Sequence, residues 1–266
     1  MVEMAPILVV ENLCKRFYGN SGIVDAVDNV SFEIYEGECA GLIGESGSGK
    51  STIAALVAGL LPPDGGSVSF LGKCLTSDKS GRPQKLYRNL QMIFQNPMAA
   101  FNPRYKMAES VAEGLRYYER LPSKRLRELA VSYMEMCGLT PGDGDKYPWQ
   151  LSGGECQRAA IARAIISRPR LLICDEITSA LDVSIQKQIL ELLADLQKRL
   201  NMSCLFISHD LAVVSQFCQR VMVMHDGRLV ESGPVADIIG RPQNEYTKRL
   251  LASILTVSCP DTENIP

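Results

Sequence analysis

The sequence lacks a long apolar run and an apolar leader. The longest apolar run beside a predicted helix is IAALVAGLL at residues 53–61. A membrane-spanning helix needs about 20 apolar residues, so we expect that the chain does not cross a membrane by itself. The first residues, MVEMAPILVVEN, are acidic and have no basic segment before an apolar one. A secretory signal is therefore not expected.

Excess positive charge and metal-type cysteine spacing are also missing. The 28 Lys and Arg residues face 30 Asp and Glu residues, for a net charge of -2, which gives no basic surface for nucleic acid. None of the nine cysteines forms a C-x-x-C pair, so the spacing of zinc and iron–sulfur sites is absent. Several lie in apolar runs such as LLICDE and SCLFIS, where cysteine packs as a small hydrophobe. We interpret all nine as reduced and structural, which indicates the cytoplasm.

Short apolar strands alternate with amphipathic helices along most of the chain, and 266 residues suit one large α/β domain. Helix 184–200 carries a stripe of aliphatic residues at the period of a helix that lies on a sheet. This alternation predicts a mostly parallel sheet. The predicted strands are 6–10, 23–35, 38–44, 67–72, 90–94, 171–175 and 204–208, and the other helices are 50–60 and 154–167.

The middle of the chain has a different pattern. Its segments MAESVAEGLRYYE and KRLRELAVSYMEMCGL are helical and amphipathic. We predict a helical subdomain at about 96–154, inserted into a core formed by 1–95 and 155–257. Residues 1–257 would be a single domain, and 258–266 a disordered tail.

A glycine-rich segment between a strand and a helix matches the phosphate-binding pattern G-x-x-x-x-G-K-[ST]. Its glycines let the backbone turn tightly and aim N–H groups at phosphate oxygens, and the helix that follows directs its positive end at the same anion. Lys50 would reach the β- and γ-phosphates, and the Ser51 hydroxyl would bind Mg²⁺. The predicted nucleotide-binding residues of this loop are Gly44, Glu45, Ser46, Gly47, Ser48, Gly49, Lys50, Ser51 and Thr52.

Two adjacent carboxylates follow the apolar strand LLICD. They are Asp175 and Glu176, and they would stand at the carboxyl end of the sheet, where open α/β sheets bind ligands. We predict that Asp175 holds Mg²⁺ and that Glu176 polarises the attacking water. A solvated turn is the alternative for such a pair when no phosphate loop accompanies it.

The segment Leu151-Ser-Gly-Gly-Glu155, followed by Cys-Gln-Arg, resembles the signature motif of ABC ATPases. Its usual form is L-S-G-G-Q, so Glu155 is a departure. The motif opens a helix and so makes a second anion-binding N-terminus. The resemblance implies that Ser152, Gly153 and Gly154 face the ATP held by a partner subunit. An ordinary helix cap with two glycines is the alternative.

Other segments resemble further motifs of that family, in the family's order. Gln95 in QMIFQNP resembles the glutamine that reaches toward Mg²⁺ and water, and His209 in FISHD resembles the histidine that contacts the γ-phosphate. Asp182 ends the segment SALD, which resembles the loop that crosses the dimer interface. Phe17 or Tyr18 would stack on adenine, with core packing as the alternative for either ring.

The resemblance covers residues 7 to about 252 and implies a fold and an activity. The fold is α/β, an ABC-type P-loop ATPase core (RecA-like, mostly parallel sheet) with an N-terminal antiparallel β subdomain and an inserted α-helical subdomain. The activity is ATP hydrolysis, with ATP and Mg²⁺ bound. One departure is Ile177, because the family usually has proline after the Asp-Glu pair.

The phrases SALDVSIQ, FISHDLAVV and NEYTKRLLASIL resemble the ATP-binding subunits of bacterial peptide and nickel importers, and the short C-terminus is more similar to the nickel type. The implied partners are a second, paralogous ATPase subunit, two membrane permease subunits and, indirectly, a substrate-binding protein. No nucleic acid is implied. The chain would lie at the cytoplasmic face of the plasma membrane, and a stretch from Phe101 to Met107 would lie near the permease groove, or else pack in the subdomain core.

Two alternatives belong to other classes of protein. A soluble ABC-type ATPase for regulation or repair would need no groove for a membrane partner. An unrelated P-loop kinase or GTPase would have no use for the Ser152-Gly153-Gly154 motif, and the guanine-reading pattern N-K-x-D is absent.

Overall fold

The computed structural model of the chain describes residues 5–19, 22–76, 84–179 and 181–257. The predicted tail at 258–266 lies outside these residues. Antiparallel strands form the N-terminal sheet: β1 (Pro6–Gly19), β2 (Gly22–Tyr35), β4 (Gly65–Phe70) and β5 (Lys73–Cys74), in the order β2-β1-β4-β5. The third strand along the chain, β3, belongs to the other sheet.

The first strand is longer than predicted, since it continues to Gly19 instead of ending at residue 10. Its pairing with β2 shifts register between Val10 and Leu13 and again between Leu13 and Lys15. Asn12 lies in this stretch with a positive φ of 47°. Each irregularity interrupts the period-2 pattern on which a strand prediction depends.

The second sheet has six strands in the order β10-β9-β3-β8-β7-β6. Five of them run parallel, and β10 pairs antiparallel with β9. This order confirms the α/β fold class with a mostly parallel sheet and an antiparallel N-terminal sheet. The strands are β3 (Cys39–Ile43), β6 (Leu90–Ile93), β7 (Leu171–Asp175), β8 (Ser203–Ser208), β9 (Arg220–His225) and β10 (Arg228–Pro234).

Nine α-helices occur in the described residues. They are α1 (Lys50–Val57), α2 (Gln84–Asn89), α3 (Met107–Tyr118), α4 (Ser123–Met136), α5 (Gly153–Ile165), α6 (Val183–Leu200), α7 (Leu211–Phe217), α8 (Val235–Gly240) and α9 (Glu245–Val257). The first helix, predicted at 50–60, ends early, at Val57, just before Gly59 with its φ of 69°.

Both faces of the parallel sheet are covered. On β8, Cys204 and Phe206 pack on the side of the inserted helices, whereas Leu205 and Ile207 pack on the side of α1 and the antiparallel sheet. A parallel strand buried on both faces reads as a continuous apolar run, which is why LLICD and CLFIS are recognisable in the sequence. The eight cysteines in the described residues carry free thiols, and six of them are buried.

Helices α3 and α4 pack on each other and on α5. Phe101 and Met107, expected near a permease groove, are instead buried in this core, while Tyr105 is exposed. Core packing is therefore the correct alternative for the first two. The predicted subdomain boundaries at about 96 and 154 stay a prediction.

Three strands bring their carboxyl ends to one edge of the sheet. Strand β8 lies between β3 and β7, with Ile43 opposite Ser208 and Asp175 opposite Ile207. The segments that follow these strands, the phosphate loop, the acidic pair and the turn with His209, therefore meet at this edge.

Candidate active site

The glycines at the two ends of the phosphate loop are required by its shape. Gly44 has a φ of 155°, and a Cβ there would lie 2.2 Å from the Met224 carbonyl oxygen. Gly49 has a φ of 103°, and its Cβ would lie 2.1 Å from the Ala26 carbonyl oxygen. Any side chain would both strain the backbone and clash with main-chain atoms that have no room to move.

The Lys50 ammonium is buried inside the loop. Its Nζ donates to the carbonyl oxygens of Gly44 at 2.8 Å and Glu45 at 2.7 Å, and to Ser48 Oγ at 3.4 Å. Burial lowers the pKa of Lys50, although the nearby carboxylates of Glu176, Asp175 and Glu45 oppose that shift. The loop therefore holds a cation at its centre through oxygen dipoles.

A hydroxyl and a carboxylate meet beside the loop. Ser51 Oγ donates to Asp175 Oδ1 at 3.0 Å, and Asp175 is buried. Burial raises the pKa of Asp175, and the neighbouring charge of Glu176 adds to the rise. Magnesium prefers a few hard oxygens from protein together with phosphate oxygens and water, and this pair fits that donor set. In the described ranges no cluster of three or more His, Cys, Asp or Glu residues could hold a metal ion.

Glu176 lies next to both of the other predicted catalytic residues, Gln95 and His209. It has a φ of 48°, and its N–H donates to the Ile207 carbonyl oxygen at 3.0 Å. Gln95 Nε2 donates to Glu176 Oε2 at 3.0 Å and to Ser179 Oγ at 3.4 Å. His209 Nδ1 lies 3.8 Å from Glu176 Oε1. The geometry thus brings together Gln95, Glu176 and His209, which lie far apart in sequence.

A cavity of about 400 Å³ opens beside these groups. Residues of the phosphate loop line it together with Glu176 and His209. Leu250 from α9 borders the same space. The lining residues are Gly44, Glu45, Ser46, Glu176, His209 and Leu250.

The Ser152 motif forms a closed helix cap away from that cavity. Ser152 is the N-cap of α5 and accepts from the Glu155 N–H at 3.3 Å, while the Ser152 N–H and hydroxyl donate to Glu155 Oε2 at 2.7 and 2.8 Å. The donated N–H of Ser152, followed by its hydroxyl, lowers the pKa of Glu155. The departure at Glu155 therefore completes a capping box and does not disrupt the motif. Gly153 and Gly154 form the first turn of α5.

The two remaining positions of interest have clear local roles. Asp182 is the N-cap of α6, where its Oδ1 accepts from the Ile185 N–H at 2.9 Å and the Ser184 hydroxyl at 2.7 Å. The Ile185 N–H is the first cause of a lowered pKa of Asp182. Ile177 is buried in the core on the side of the inserted helices, so an apolar contact stands where the family usually has proline. Ala180 lies outside the described residues.

The two candidate adenine-stacking rings are exposed near the end of β1, Phe17 at 42% and Tyr18 at 76%. The core-packing alternative is therefore wrong for both. The Lys15 ammonium lies 5.8 Å from the centroid of the Phe17 ring. Stacking of one of these two rings on adenine stays a prediction, and both rings are still candidates.

Sequence reasoning did not predict the contact between the C-terminal helix and the phosphate loop. Tyr246 Oη accepts a hydrogen bond from the Glu45 N–H at 3.1 Å. Its ring stacks on His225 with centroids 3.8 Å apart. The segment NEYTKRLLASIL signals a helix and a subfamily, but no sequence pattern joins its tyrosine to a loop about 200 residues earlier.

Comparison with known proteins identifies the class. A profile of the ABC transporter family matches residues 27–179, more than half of the chain. The chain belongs to the ABC transporter family, and it is an ATP-binding subunit that hydrolyses ATP. The resemblance to importer ATPases that the sequence indicates is confirmed.

Two relatives define the neighbourhood within the family. The oligopeptide transport ATP-binding protein OppF of Salmonella typhimurium is 44% identical over 239 residues, which cover 90% of this chain and 71% of OppF. The glutathione import ATP-binding protein GsiA of Escherichia coli K12 is 42% identical over 261 residues, which cover 96% of this chain and 42% of GsiA. The chain therefore spans less than half of the length of GsiA.

Solved structures agree in fold. The dimeric post-hydrolysis state of the ATP-binding cassette MJ0796, bound to ADP and Pi, matches with a TM-score of 0.79 at 28% identity, over 86% of this chain and 98% of that one. cbiO1 from Clostridium perfringens, part of the ABC transporter complex cbiONQ, matches with a TM-score of 0.77 at 27% identity, over 95% and 97%. Within the residues described, no helix combines the length and apolarity needed to span a membrane.

The first prediction concerns Lys50. We expect Lys50→Ala to weaken ATP binding by roughly 10- to 100-fold, because it removes a charge-assisted contact to phosphate. Titration calorimetry with ATP measures the effect. Lys187→Ala, at an exposed position of α6, is the control and should leave the affinity unchanged. Equal affinities in the wild type and Lys50→Ala would remove Lys50 from the phosphate site.

The second prediction concerns the buried Asp175. Because its pKa is raised in the folded chain, stability falls as pH rises from the unfolded-state pKa of about 4 through the folded-state pKa. We expect Asp175→Asn to melt at a higher temperature than the wild type at pH 7, with the gain lost below about pH 4.

Asp64→Asn is the matched control for this measurement. The Arg16 N–H and the Lys15 ammonium lower the pKa of Asp64, so its substitution should lower the melting temperature at pH 7. A lower melting temperature for Asp175→Asn at pH 7 would show that Asp175 stabilises the fold, against our expectation.

Proposed function

We propose that the chain powers a bacterial importer of peptides or of nickel or other metal chelates, by driving closure of a dimer of ATP-binding domains. The observation that carries the proposal is the 44% identity to OppF across 90% of the chain, together with the cavity beside the phosphate loop, which Glu176 and His209 line. OppF and GsiA are described as oligopeptide and glutathione proteins, which favours a peptide over a metal chelate.

The proposed roles of the residues follow from their contacts. The backbone of Gly44–Thr52 cradles the phosphates, and Lys50 exchanges its bonds to loop carbonyl oxygens for the β- and γ-phosphate oxygens. Ser51, Asp175 and Gln95 would hold Mg²⁺, which neutralises phosphate charge when it is bound. Phe17 or Tyr18 stacks on adenine.

Glu176 acts as the general base toward water in this proposal. Gln95 Nε2 donates to one of its carboxylate oxygens at 3.0 Å, and His209 Nδ1 lies 3.8 Å from the other. His209 borders the cavity beside Gly44 and Ser46, which supports a role for its ring at the γ-phosphate. Its ring would thus sense the phosphate while Gln95 aligns the carboxylate.

A second chain completes the proposed site. The hydrogen bonds of Ser152 stay within its own turn, and the motif does not border the cavity of its own chain. This fits the arrangement in which Ser152, Gly153 and Gly154 of one chain meet the ATP of the other. We infer a paralogous ATPase as the partner, with Asp182 near the interface.

A groove on the surface supports the proposal that the chain has a membrane partner. A cavity of about 290 Å³ lies between β6, α3 and α5, with Phe94, Tyr118 and Arg163 among its lining residues. Phe94 is exposed, and so is Met98 in the following turn. We propose that a helix from one of two permease subunits fills this groove at the cytoplasmic face of the membrane, with a substrate-binding protein acting on the far side.

The third prediction tests the general base. We expect Glu176→Gln to bind ATP with wild-type affinity and to hydrolyse it about 10²- to 10⁴-fold more slowly, because the amide cannot take a proton from water. Steady-state phosphate release and ATP titration measure the two effects. Glu191→Gln, at an exposed position of α6, should keep wild-type turnover. Normal turnover in Glu176→Gln would assign the base to another group.

A pull-down tests the importer itself. Tagged Glu176→Gln chain is loaded with ATP in gently solubilised native membranes, and the co-purifying proteins are identified by mass spectrometry. Recovery of two multi-span proteins and a second ATPase supports the proposal. Recovery of a dimer of this chain alone, in the soluble fraction, would overturn it in favour of a regulatory or repair ATPase.

A further inference from the structure

Tyr246 of helix α9 contacts the phosphate loop. Tyr246 is 6% exposed, and its Oη accepts the Glu45 N–H at 3.1 Å. Glu45 is the second residue of the loop, and its side chain is exposed. The bond therefore holds this exposed residue from outside the loop, whereas its carbonyl oxygen is held from inside by Lys50 Nζ at 2.7 Å and the Ser48 N–H at 3.2 Å.

The tyrosine ring is itself held in place. It stacks on His225 with centroids 3.8 Å apart and an angle of 16° between the planes. His225 ends β9 and follows Met224, whose carbonyl oxygen faces Gly44. The ring of Tyr246 thus packs on β9, and its hydroxyl oxygen binds the phosphate loop, which β9 also contacts at Gly44.

The same face of α9 also borders the space beside the catalytic carboxylate. Leu250 comes one turn after Tyr246 and lines the cavity with Glu176 and His209. Residues four apart lie on one face of a helix. Leu250 of α9 therefore borders the proposed nucleotide site, although α9 lies beyond every sequence motif expected to bind ATP.

Loop order explains why this contact matters for binding. A phosphate loop binds through backbone N–H groups that must already point at the anion, and ordering a loose loop on binding reduces affinity. We propose that Tyr246 is a positioning residue for ATP, which holds the first half of the phosphate loop in its binding shape. The inference rests on ATP binding by this chain and not on the identity of the transported substrate.

The test is Tyr246→Phe, which removes the acceptor oxygen and keeps the stacked ring. We expect the Kd for ATP to rise about fivefold, the effect of one lost hydrogen bond. The KM for ATP should rise by a similar factor with kcat unchanged, because the bond is present in both the ground state and the transition state. Amide hydrogen exchange at Glu45 without nucleotide should become faster.

Tyr133→Phe is the matched control. Tyr133 is also 6% exposed, and its Oη accepts a hydrogen bond from Arg168 Nε at 2.9 Å, in the inserted helical region. This variant should lose stability with the Kd and KM unchanged. All binding measurements are made well below the melting temperature of either variant, which separates loop order from folding.

Two outcomes overturn different claims. A wild-type Kd and KM in Tyr246→Phe, with a loss of melting temperature equal to that of Tyr133→Phe, would make Tyr246 a purely structural residue. Failure of the wild-type chain to bind ATP would instead remove the nucleotide site itself. Because the Kd and the melting temperature are measured on this chain alone, neither claim depends on the permease partners.

Discussion

A loop that binds phosphate through its backbone must keep a fixed shape while its N–H groups wait for an anion, and the surroundings of this loop meet that constraint. Main-chain oxygens press on it where only glycine fits, at Gly44 and Gly49. The Gly227 N–H donates to the Ser48 carbonyl oxygen at 3.1 Å, and Tyr246 holds Glu45. Contacts from β2, the β9–β10 turn and α9 thus add to the bonds that Lys50 makes inside the loop.

In contrast to these contacts, the buried charges of the site lower the stability of the folded chain. Lys50 and Asp175 are both buried. Burial lowers the pKa of Lys50 and raises the pKa of Asp175, and each shift favours the uncharged form. In the proposed function their counter-charges arrive with the ligand, as phosphate for Lys50 and as a divalent cation for Asp175. Ligand that binds the folded state alone restores the lost stability, so the site trades resting stability for affinity.

Much of the fold and of the site could be predicted, because those signals are local. LLICD and CLFIS are apolar on both sides, and the phosphate loop has a pattern that only glycines and one lysine satisfy. The signals failed where tertiary contacts decide. Because the pairing of β1 shifts register, its sequence pattern did not predict the full length of the strand. Phe101 and Met107 gave no hint from composition of whether they face a groove or the core.

The contacts of single side chains across the fold were the least predictable part. Tyr246 reaches the loop only because β9 and α9 are neighbours in space. Glu155 and Ile177 depart from the family pattern, yet one closes a helix cap and the other fills the core. A sequence motif records which residue is usual, whereas the structure records which local bond the residue must make.

The cap at Ser152 has a consequence for the proposed two-chain mechanism. A serine hydroxyl has one proton, and here it is donated to the carboxylate of Glu155 at 2.8 Å. To donate to the γ-phosphate of a partner's ATP, Ser152 must first break that bond, and the phosphate must approach a like charge. A glutamine at 155 would remove the repulsion and keep an acceptor oxygen for the cap. In the proposed two-chain site, binding of the partner's ATP would therefore have to provide the free energy that breaks the bond from Ser152 Oγ to Glu155 Oε2.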